Sequence, residues 1–298
     1  MMARRSSLVS SVPAGSDGVA FTSAAEALER LRPRLAGRLL LATDFDGTIS
    51  RLSMDMWQVV VIPAAQRALR RLAASAETDV AFISGRTLTD LAPRVRVGGA
   101  SYYGDHGSER ARARRGFRVA SLRIEHEPVE PDVTAAADRL KAEVPRLVDE
   151  DWLAVEDKGP AVTFHFRRAP DIEAARTRVR AAVETVDPAG LLDQPGGRRA
   201  WELRPHGATT KSQTLARLID EQRPDTVLML GDDAHDAAAF DVLRSARADG
   251  RIEGLAIAVV SPASDAAEMA RRADLVFAQA DVTARFLALL ARVRDGSR

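Results

Sequence analysis

The chain contains no cysteine among its 298 residues. Disulfide bonds, a cysteine nucleophile and cysteine-ligated zinc are therefore all excluded, and a cytoplasmic location is compatible with this composition. A large charge of one sign is also missing, because the net charge is only +1. The sequence thus gives no reason to expect nucleic acid or a membrane surface as a partner. No apolar run approaches the roughly 18 residues that suggest a transmembrane helix.

What the chain does contain is the composition of an ordinary globular protein, with 46% apolar and 29% charged residues. Residues 1–22 are rich in Ser, Gly and Ala and lack a continuous apolar segment. This composition predicts a disordered tail rather than a signal peptide. Ordered structure is expected to begin at Ser23, which forms a capping-box pattern with Glu26 ahead of an apolar stripe.

Residues 23–109 alternate short apolar runs with helical patterns. Leu39 to Thr43 is apolar throughout, as expected for a strand in a sheet that is covered on both faces. A helix is predicted from Pro63 to Ala74, and a strand from Val80 to Ile83 precedes a further helix. Because strands that alternate with helices form parallel sheets, this part of the chain predicts an α/β core.

Residues 110–206 have a different pattern, in which short alternating runs surround two helical stretches. Such alternation is typical of an antiparallel sheet with one solvent-facing side. The predicted elements are strands at 117–124, 153–156, 161–167 and 200–204, and helices at 131–147 and 171–186. The parallel pattern resumes at residues 207–298, with strands at 226–230, 255–260 and 274–277. We therefore predict one α/β core, made of residues 23–109 and 207–298, interrupted by an α+β insert.

Polar side chains follow three of the predicted core strands. Asp44 and Asp46 come directly after the first strand, Ser84 after the second, and Asp232 after a later one. Because ligands bind outside the carboxyl ends of strands in open α/β sheets, these groups are expected to converge. Lys211, where the chain returns to the core, is a fourth participant. Carboxylates in this setting suit Mg2+, a hard cation that prefers oxygen ligands.

Phosphate-ester cleavage gives each of these groups a role. Asp44 would attack phosphorus to form an aspartyl-phosphate, and Asp46 would protonate the leaving oxygen and then activate water. The Asp44 carboxylate, the Asp46 backbone carbonyl and Asp232 would hold Mg2+. Ser84 and Lys211 would bind the other phosphate oxygens, where developing charge must be stabilised.

Two more aspartates, Asp233 and Asp236, suit a supporting role in which they orient the waters of the metal or Lys211. Taken singly, the elements have plain alternatives, since an Asp-x-Asp can cap a helix, a Ser-Gly can form a turn and a helical lysine is usually solvated. Their combined order, strand-DxDGT, strand-SGR, Lys and strand-GDDxxD, is improbable by chance. The order favours a phosphohydrolase.

These four elements resemble the haloacid-dehalogenase-like phosphohydrolases, and further motifs resemble the trehalose-6-phosphate phosphatase family. The further motifs are Gly104 to Glu109, which is similar to that family's G-x-H-G-x-E, then Val155 to Gly159, His165 to Arg167, Trp201 to Pro205 with Lys211 beyond, and Gly231 to Asp236. The resemblance covers about Ala36 to Arg292. It implies a Rossmann-like hydrolase core, a mobile cap formed by the insert, Mg2+ dependence, and conversion of trehalose 6-phosphate to trehalose and phosphate. The chain departs from the family pattern at Asp105, Ser212 and His235, none of which is a proposed phosphate or metal ligand.

The resemblance also nominates residues that bind the substrate. They are Arg86, His106, Glu109, Glu156, Lys158, His165, Arg167, Glu202 and Arg204. Each has a structural alternative. The candidates within the insert could be a solvent-facing polar row on an antiparallel sheet. His106 and Glu109 are expected in a loop beneath the cap, and their alternative is a turn stabilised by local hydrogen bonds. Arg86 could contact phosphate or pair with a core carboxylate.

The sequence as a whole predicts a cytoplasmic, Mg2+-dependent phosphatase acting on a small-molecule sugar phosphate, with trehalose 6-phosphate as the expected substrate in trehalose biosynthesis. The first alternative is a related capped phosphatase that acts on sucrose phosphate or a glucosylglycerate phosphate. The second is a phosphate-binding regulatory module, such as a degenerate family member or a receiver-like domain. Asp46 argues against a regulatory module, because an acid/base beside the nucleophile promotes turnover. The sequence does not fix the oligomeric state, and a monomer is our expectation.

Overall fold

The computed structural model describes residues 19–53, 56–116, 121–195, 199–260 and 266–296. The chain divides into two compact units. One, which we call the core unit, comprises the residues up to Ile124 and from Thr210 onward. The other, the insert unit, comprises Glu125 to Thr209. The insert is therefore shorter than predicted, because residues 110–112 continue a strand of the core sheet.

The structure alternates strands and helices through most of the described chain. The strands are β1 (Leu39–Thr43), β2 (Thr78–Ile83), β3 (Ser101–Gly104), β4 (Glu109–Arg112), β5 (Glu125–His126), β6 (Ala154–Asp157), β7 (Val162–His165), β8 (Leu192–Asp193), β9 (Ala200–Pro205), β10 (Thr226–Gly231), β11 (Glu253–Val259) and β12 (Leu275–Phe277). The α-helices are α1 (Ala24–Leu31), α2 (Pro63–Ala74), α3 (Leu88–Val95), α4 (Pro131–Val148), α5 (Ile172–Val186), α6 (Lys211–Gln222), α7 (Ala234–Ala248), α8 (Ala266–Arg272) and α9 (Ala280–Gly296).

The core unit is built on a twisted sheet with the strand order β12-β11-β10-β1-β2-β3-β4. Neighbouring strands are parallel from β12 to β3, and β3 pairs with β4 in antiparallel fashion. The α/β fold predicted from the sequence is confirmed. Strand β1 lies near the centre of the sheet, between β10 and β2, which places its carboxyl end among the ends of its neighbours.

Strand β1 is apolar along its whole length because both of its faces are covered. Leu39 and Leu41 belong to the hydrophobic cluster that includes α1, α2, α3 and α9. Leu40 and Ala42 belong to a second cluster, which includes α6, α7 and α8. All five residues of the strand are buried. A sheet sandwiched between two helical layers holds the ends of its strands in fixed positions, and this rigidity is what a catalytic site requires.

The insert unit has its own sheet and its own hydrophobic core. Its strands lie in the order β6-β7-β9-β8 and are antiparallel. Phe164, Leu203 and Leu140 are among the buried residues that join one face of the sheet to α4 and α5. The alternation of strand β7 therefore turns apolar side chains toward the helices and polar ones to the opposite face.

Several predicted boundaries change. The tail is not disordered up to residue 22, since Val19 is buried and the Thr22 N–H donates to the Val276 carbonyl at 2.7 Å; residues 1–18 lie outside the described residues. Of the strand predicted at 117–124, residues 117–120 are likewise outside, and 121–124 form no strand. In the described parts of the chain, no helix has the length and apolar character needed to cross a membrane.

Candidate active site

The polar groups predicted to converge lie at the carboxyl ends of three adjacent strands. Asp44 follows β1, Ser84 follows β2 and Asp232 follows β10. The Asp44 N–H donates to the Leu230 carbonyl at 3.0 Å, which extends the pairing of β1 with β10 to this point. The parallel topology thus brings together residues that are nearly two hundred positions apart in the sequence.

Gly47 allows the turn after β1 to approach Asp232. Its φ angle is +72°, a conformation that side chains with a Cβ rarely adopt. A Cβ at this position would lie 2.1 Å from Oδ2 of Asp232. Only glycine therefore fits here, and its absence of a side chain lets the Asp44–Thr48 turn pack directly on the carboxylate from β10.

Lys211 joins the two halves of the core unit at the site. It is the first residue of α6, and Thr210 caps that helix through a reciprocal capping box with Gln213. The Lys211 Nζ donates to Oδ1 of Asp44 at 2.9 Å and to Oδ1 of Asp236 at 2.8 Å. Its side chain is 1% exposed, so the solvated-lysine alternative is wrong.

The start of α7 supplies the remaining carboxylates. Asp233 is the N-cap of this helix, and its side chain accepts a hydrogen bond from the Asp236 N–H at 2.9 Å. Oδ2 of Asp236 accepts from the N–H groups of Asp232 at 3.0 Å and Asp233 at 3.2 Å. Asp236 therefore fixes the backbone of the Asp232 turn while its other oxygen binds Lys211. Asp236 thus contacts one of the two groups, the waters of the metal or Lys211, that the sequence predicted it to orient, and its part in catalysis stays a prediction.

The electrostatics of this cluster favour a bound cation. Oxygens of Asp44, Asp232 and Asp236 all lie within 4.8 Å of one another, and the three side chains are buried. Burial, opposed by Lys211 but reinforced by Asp233, raises the pKa of Asp44 from 3.8 to about 6. Burial and the charge of Asp233 also raise the pKa of Asp236. The single ammonium group of Lys211 does not balance the negative charge of the surrounding carboxylates. A set of ligands that are all oxygens fits a divalent metal ion.

Asp46 is held by an arginine. Its carboxylate accepts hydrogen bonds from Nε of Arg86 at 2.6 Å and from Nη2 of Arg86 at 2.8 Å. Arg86 also contacts Asp90 at 2.5 Å, and its guanidinium lies 5.5 Å from the centre of the Phe45 ring. Burial lowers the pKa of Arg86, but the hydrogen bonds and charges of its partners outweigh that effect and raise it. Of the two roles left open for Arg86, the structure shows the pairing with a core carboxylate.

Two more candidates follow β3, His106 in the loop between β3 and β4 and Glu109 at the start of β4. His106 has a φ angle of +62°, and its carbonyl accepts a hydrogen bond from Thr214 Oγ1 at 3.0 Å. The rings of His106 and His235 lie 4.7 Å apart. Glu109 Oε2 accepts from the Leu88 N–H, at the start of α3, at 2.5 Å. These hydrogen bonds join the loop to α6 and the start of β4 to α3, and within the core unit the Glu109 carboxylate supports the N-terminus of a helix.

The candidates in the insert unit share the polar face of its sheet. Glu156 and Glu202 stand on either side of Thr163 in the strand register. His165 Nε2 lies 2.8 Å from Glu156 Oε2, and Lys158 Nζ donates to Glu202 Oε1 at 2.8 Å. None of these four residues is more than 8% exposed. Each of the four side chains thus has a hydrogen-bonded or ion-paired partner on the same face of the insert sheet.

Two arginines complete the predicted set in the insert. Arg204 is buried, and its Nη2 donates to the Thr209 carbonyl at 2.7 Å. Arg167 is half-buried and lies just beyond the end of β7. The position of neither arginine shows by itself what that arginine would bind. The buried, hydrogen-bonded arrangement of this face is the kind that recognises hydroxyl groups with defined geometry.

Comparison with known proteins identifies the family. The model of the trehalose-phosphatase family matches residues 42–273. A trehalose-phosphate phosphatase of Mycobacterium avium (strain 104) is 34% identical over 249 residues, which cover 79% of this chain and 58% of the relative. This chain belongs to the trehalose-phosphatase family. It spans little more than half the length of that curated relative.

Solved structures with the same fold include a trehalose-6-phosphate phosphatase C-terminal domain from C. albicans. It has a TM-score of 0.72 and 20% sequence identity, and the alignment covers 92% of this chain and 98% of that one. The C-terminal domain of a Candida albicans trehalose synthase regulatory protein also aligns, with a TM-score of 0.60, 13% identity and coverage of 91% and 99%. These likenesses show that the trehalose-phosphatase family member described here has their α/β fold.

Two polar residues of the site region did not emerge from the sequence. Asp90 and Arg94 extend the contacts of Arg86 along α3. The sequence does contain a signal for these residues. Charges of alternating sign stand four residues apart at Arg86, Asp90 and Arg94, a spacing that places side chains on one side of a helix. Asp90 and Arg94 both lie beyond the Ser-Gly-Arg motif, which ends at Arg86.

Proposed function

We propose that this chain is a phosphomonoesterase that hydrolyses trehalose 6-phosphate to trehalose and phosphate, with Mg2+ as its metal ion. The observation that carries the proposal is the buried group at the end of β1. There Asp44 accepts a hydrogen bond from Lys211 and lies beside Asp232. A carboxylate in that position has the charge and the surroundings of a nucleophile toward a phosphate ester. Family membership supports the same assignment.

The proposed first half-reaction uses the carboxyl groups of Asp44 and Asp46. An oxygen of Asp44 forms a bond to phosphorus as the bond from phosphorus to the sugar oxygen breaks. A proton on Asp46 passes to the departing oxygen, so that trehalose leaves as a neutral alcohol. Arg86 holds the Asp46 carboxylate through two of its N–H groups, and each oxygen of that carboxylate retains a lone pair for a proton.

The second half-reaction regenerates the site. Asp46 accepts a proton from water as the water oxygen bonds to phosphorus, and the bond between Asp44 and phosphorus breaks to release phosphate. Ser84 and Lys211 bind the phosphate oxygens, where charge accumulates. Asp44 and Asp232, with the backbone carbonyl of Asp46, would hold Mg2+, which neutralises the phosphate charge when bound. Asp233 and Asp236 orient Lys211 and the Asp232 turn.

We assign sugar recognition to the insert unit. Its polar sheet face presents Glu156, Lys158, His165 and Glu202 in two hydrogen-bonded pairs. Carboxylates and ammonium groups of this kind can exchange their mutual hydrogen bonds for bonds to sugar hydroxyls. Glu156→Ala is therefore expected to weaken the apparent affinity for trehalose 6-phosphate while activity on small phosphate esters persists.

Other residues and properties complete the proposal. His106, Glu109, Arg167 and Arg204 are further candidates for substrate contact, and Arg86 acts through Asp46. The partner is a small-molecule sugar phosphate, and we propose a cytoplasmic monomer that does not require nucleic acid or a membrane. Size-exclusion chromatography with light scattering tests the monomeric state.

Phosphate release from a panel of sugar phosphates tests the function. The panel contains trehalose 6-phosphate, sucrose 6-phosphate, a glucosylglycerate phosphate and glucose 6-phosphate. Release from each ester is measured in two separate assays, one with Mg2+ and one with EDTA. We expect a strong preference for trehalose 6-phosphate, loss of release in EDTA, and no release by Asp44→Asn. Preference for another sugar phosphate would support the proposed chemistry but contradict the proposed substrate. No release from any ester by a folded, Mg2+-loaded protein would instead favour a regulatory module.

A further inference from the structure

A row of ion pairs extends outward from Asp46 along one side of α3. Arg86 binds both oxygens of Asp46 and also contacts Asp90 Oδ2 through Nη1 at 2.5 Å. Asp90 Oδ1 accepts from Nε of Arg94 at 2.9 Å and from Nη2 of Arg94 at 2.5 Å. The spacing of four residues places the three side chains on the same side of the helix and of the turn before it.

The outer end of the row is fixed to the backbone. Nη1 of Arg94 donates to the Trp57 carbonyl at 2.8 Å and to the Val59 carbonyl at 2.7 Å. The side chains of Arg86, Asp90 and Arg94 are 7%, 20% and 13% exposed, so solvent screens these contacts only in part. The row therefore runs from the backbone carbonyls of Trp57 and Val59 to Asp46, whose own side chain is 32% exposed.

The charge along the row is maintained at neutral pH. Burial raises the pKa of Asp90, but hydrogen bonds from Arg94 and Arg86 outweigh burial and lower it overall. Asp90 is thus an anion between two guanidinium groups. Arg86 donates two N–H groups to Asp46, and Arg94 donates two to one oxygen of Asp90, so these two contacts restrain orientation as well as distance. The single hydrogen bond from Arg86 to Asp90 joins them.

We propose that Asp90 and Arg94 are positioning residues that hold Arg86, and through it the carboxyl group of Asp46, in the orientation needed to protonate the leaving oxygen. This inference rests on the proposed phosphatase function. Without Asp90, Arg86 keeps Asp46 as a partner but loses the contact that fixes the far edge of its guanidinium. The Arg86–Asp46 pair can then rotate together, and a small misplacement of an acid is enough to slow proton transfer.

The step affected is specific. As the bond from Asp44 to phosphorus forms and the ester bond breaks, an alkoxide or phenolate leaving group needs the Asp46 proton, whereas p-nitrophenolate is a stable anion and needs it little. Because kcat/KM reports events up to the first irreversible step, it isolates this half-reaction from the later hydrolysis of the aspartyl-phosphate. Loss of positioning should therefore depend on the leaving group.

The test compares kcat/KM for phenyl phosphate and p-nitrophenyl phosphate, two esters of similar size, in Asp90→Asn and Arg94→Ala variants with Mg2+. We expect kcat/KM for phenyl phosphate to fall about tenfold and that for p-nitrophenyl phosphate to fall less than about twofold. Arg94→Lys should restore part of the loss. Asp274→Asn is the matched control, since it removes a comparable paired aspartate that contacts Arg247 and the Ala256 N–H.

The outcomes separate the two proposals. An equal loss for both esters, or no loss, in both variants would overturn the positioning role while leaving a working phosphatase. The same leaving-group dependence in Asp274→Asn would overturn it too, because general destabilisation would then explain the effect. If the wild-type protein hydrolyses neither an aryl nor a sugar phosphate, the phosphatase function fails and the inference fails with it. Should Asp90→Asn not fold, Arg94→Ala and Arg94→Lys still decide between these outcomes.

Discussion

At the scale of single residues, Lys211 is a buried ammonium that compensates the charges of Asp44 and Asp236. Lys211→Met keeps much of the side-chain volume but leaves these carboxylates without their cation. We expect the free energy of unfolding at neutral pH, without metal, to fall by about 3–5 kcal/mol, as for other buried ion pairs that lose one partner. Urea denaturation measures this change.

Lys141 provides the comparison. Its Nζ also contacts two carboxylates, those of Asp138 and Asp157, but these carboxylates are 64% and 67% exposed. Lys141→Met should therefore cost only about 1 kcal/mol or less. Similar losses for the two variants would show that burial of the Lys211 cluster has little energetic weight.

Asp44 predicts a pH dependence of stability. Its pKa is about 6 in the folded chain, against an ordinary 3.8, chiefly because of burial. Between these values the folded state binds more protons than the unfolded state, so stability falls as pH rises through the window. Metal-free wild type should lose up to about 3 kcal/mol relative to Asp44→Asn between about pH 4 and about pH 7. Parallel stability curves for the two proteins, from isothermal urea titrations, would contradict this expectation.

At the scale of elements, the first turn of α6 positions Lys211. Thr210 accepts a hydrogen bond from the Gln213 N–H and begins the helix one residue before the lysine. Thr210→Ala should cost about 1 kcal/mol of stability. It should also lower kcat for trehalose 6-phosphate by about threefold to tenfold, because the lysine becomes less well fixed.

Ser23 is a matched N-cap at a distance from the site. It caps α1 through the Glu26 N–H at 3.2 Å. Ser23→Ala should produce a similar loss of stability, measured by thermal melting, with no change in kcat. If Thr210→Ala also left kcat unchanged, cap geometry would have no part in placing the lysine.

Individual strands and helices show how far the sequence predicts this structure. Strand β1 and helix α2 have the predicted limits, because a fully apolar run and a proline at a helix start are strong local signals. The strand-end positions of Asp44 and Asp232 followed from topology. The pairing of Arg86 with Asp46 was one of two open roles, since local sequence does not say which side chain an arginine meets across 40 residues. The two-residue strand β8 has no periodic signal at all.

At the scale of the whole molecule, the insert unit begins and ends at neighbouring points. Near its two ends, Thr209 Oγ1 donates to Glu127 Oε1 at 2.5 Å. The core unit and the insert unit also have separate hydrophobic clusters. Residues 125–209 should therefore be replaceable by a flexible linker of about six residues without unfolding the core.

The linker variant also tests the division of labour. We expect it to hydrolyse p-nitrophenyl phosphate with Mg2+ at a rate within about tenfold of wild type, since Asp44, Asp46 and Lys211 all belong to the core unit. Its preference for trehalose 6-phosphate over glucose 6-phosphate should disappear. A variant that folds and keeps the full preference would show that the core, and not the insert, reads the sugar.

The contact between Thr209 and Glu127 has an evolutionary consequence. A segment that leaves and rejoins a scaffold at one place can be lengthened, shortened or exchanged by a single recombination event, without changing the register of any scaffold strand. On the division of labour proposed above, new substrates then become accessible through changes in one inherited block, while the aspartates and lysine of the scaffold stay under separate selection. The junction at residues 124/125 and 209/210 is thus a natural crossover point for building hydrolases of new specificity.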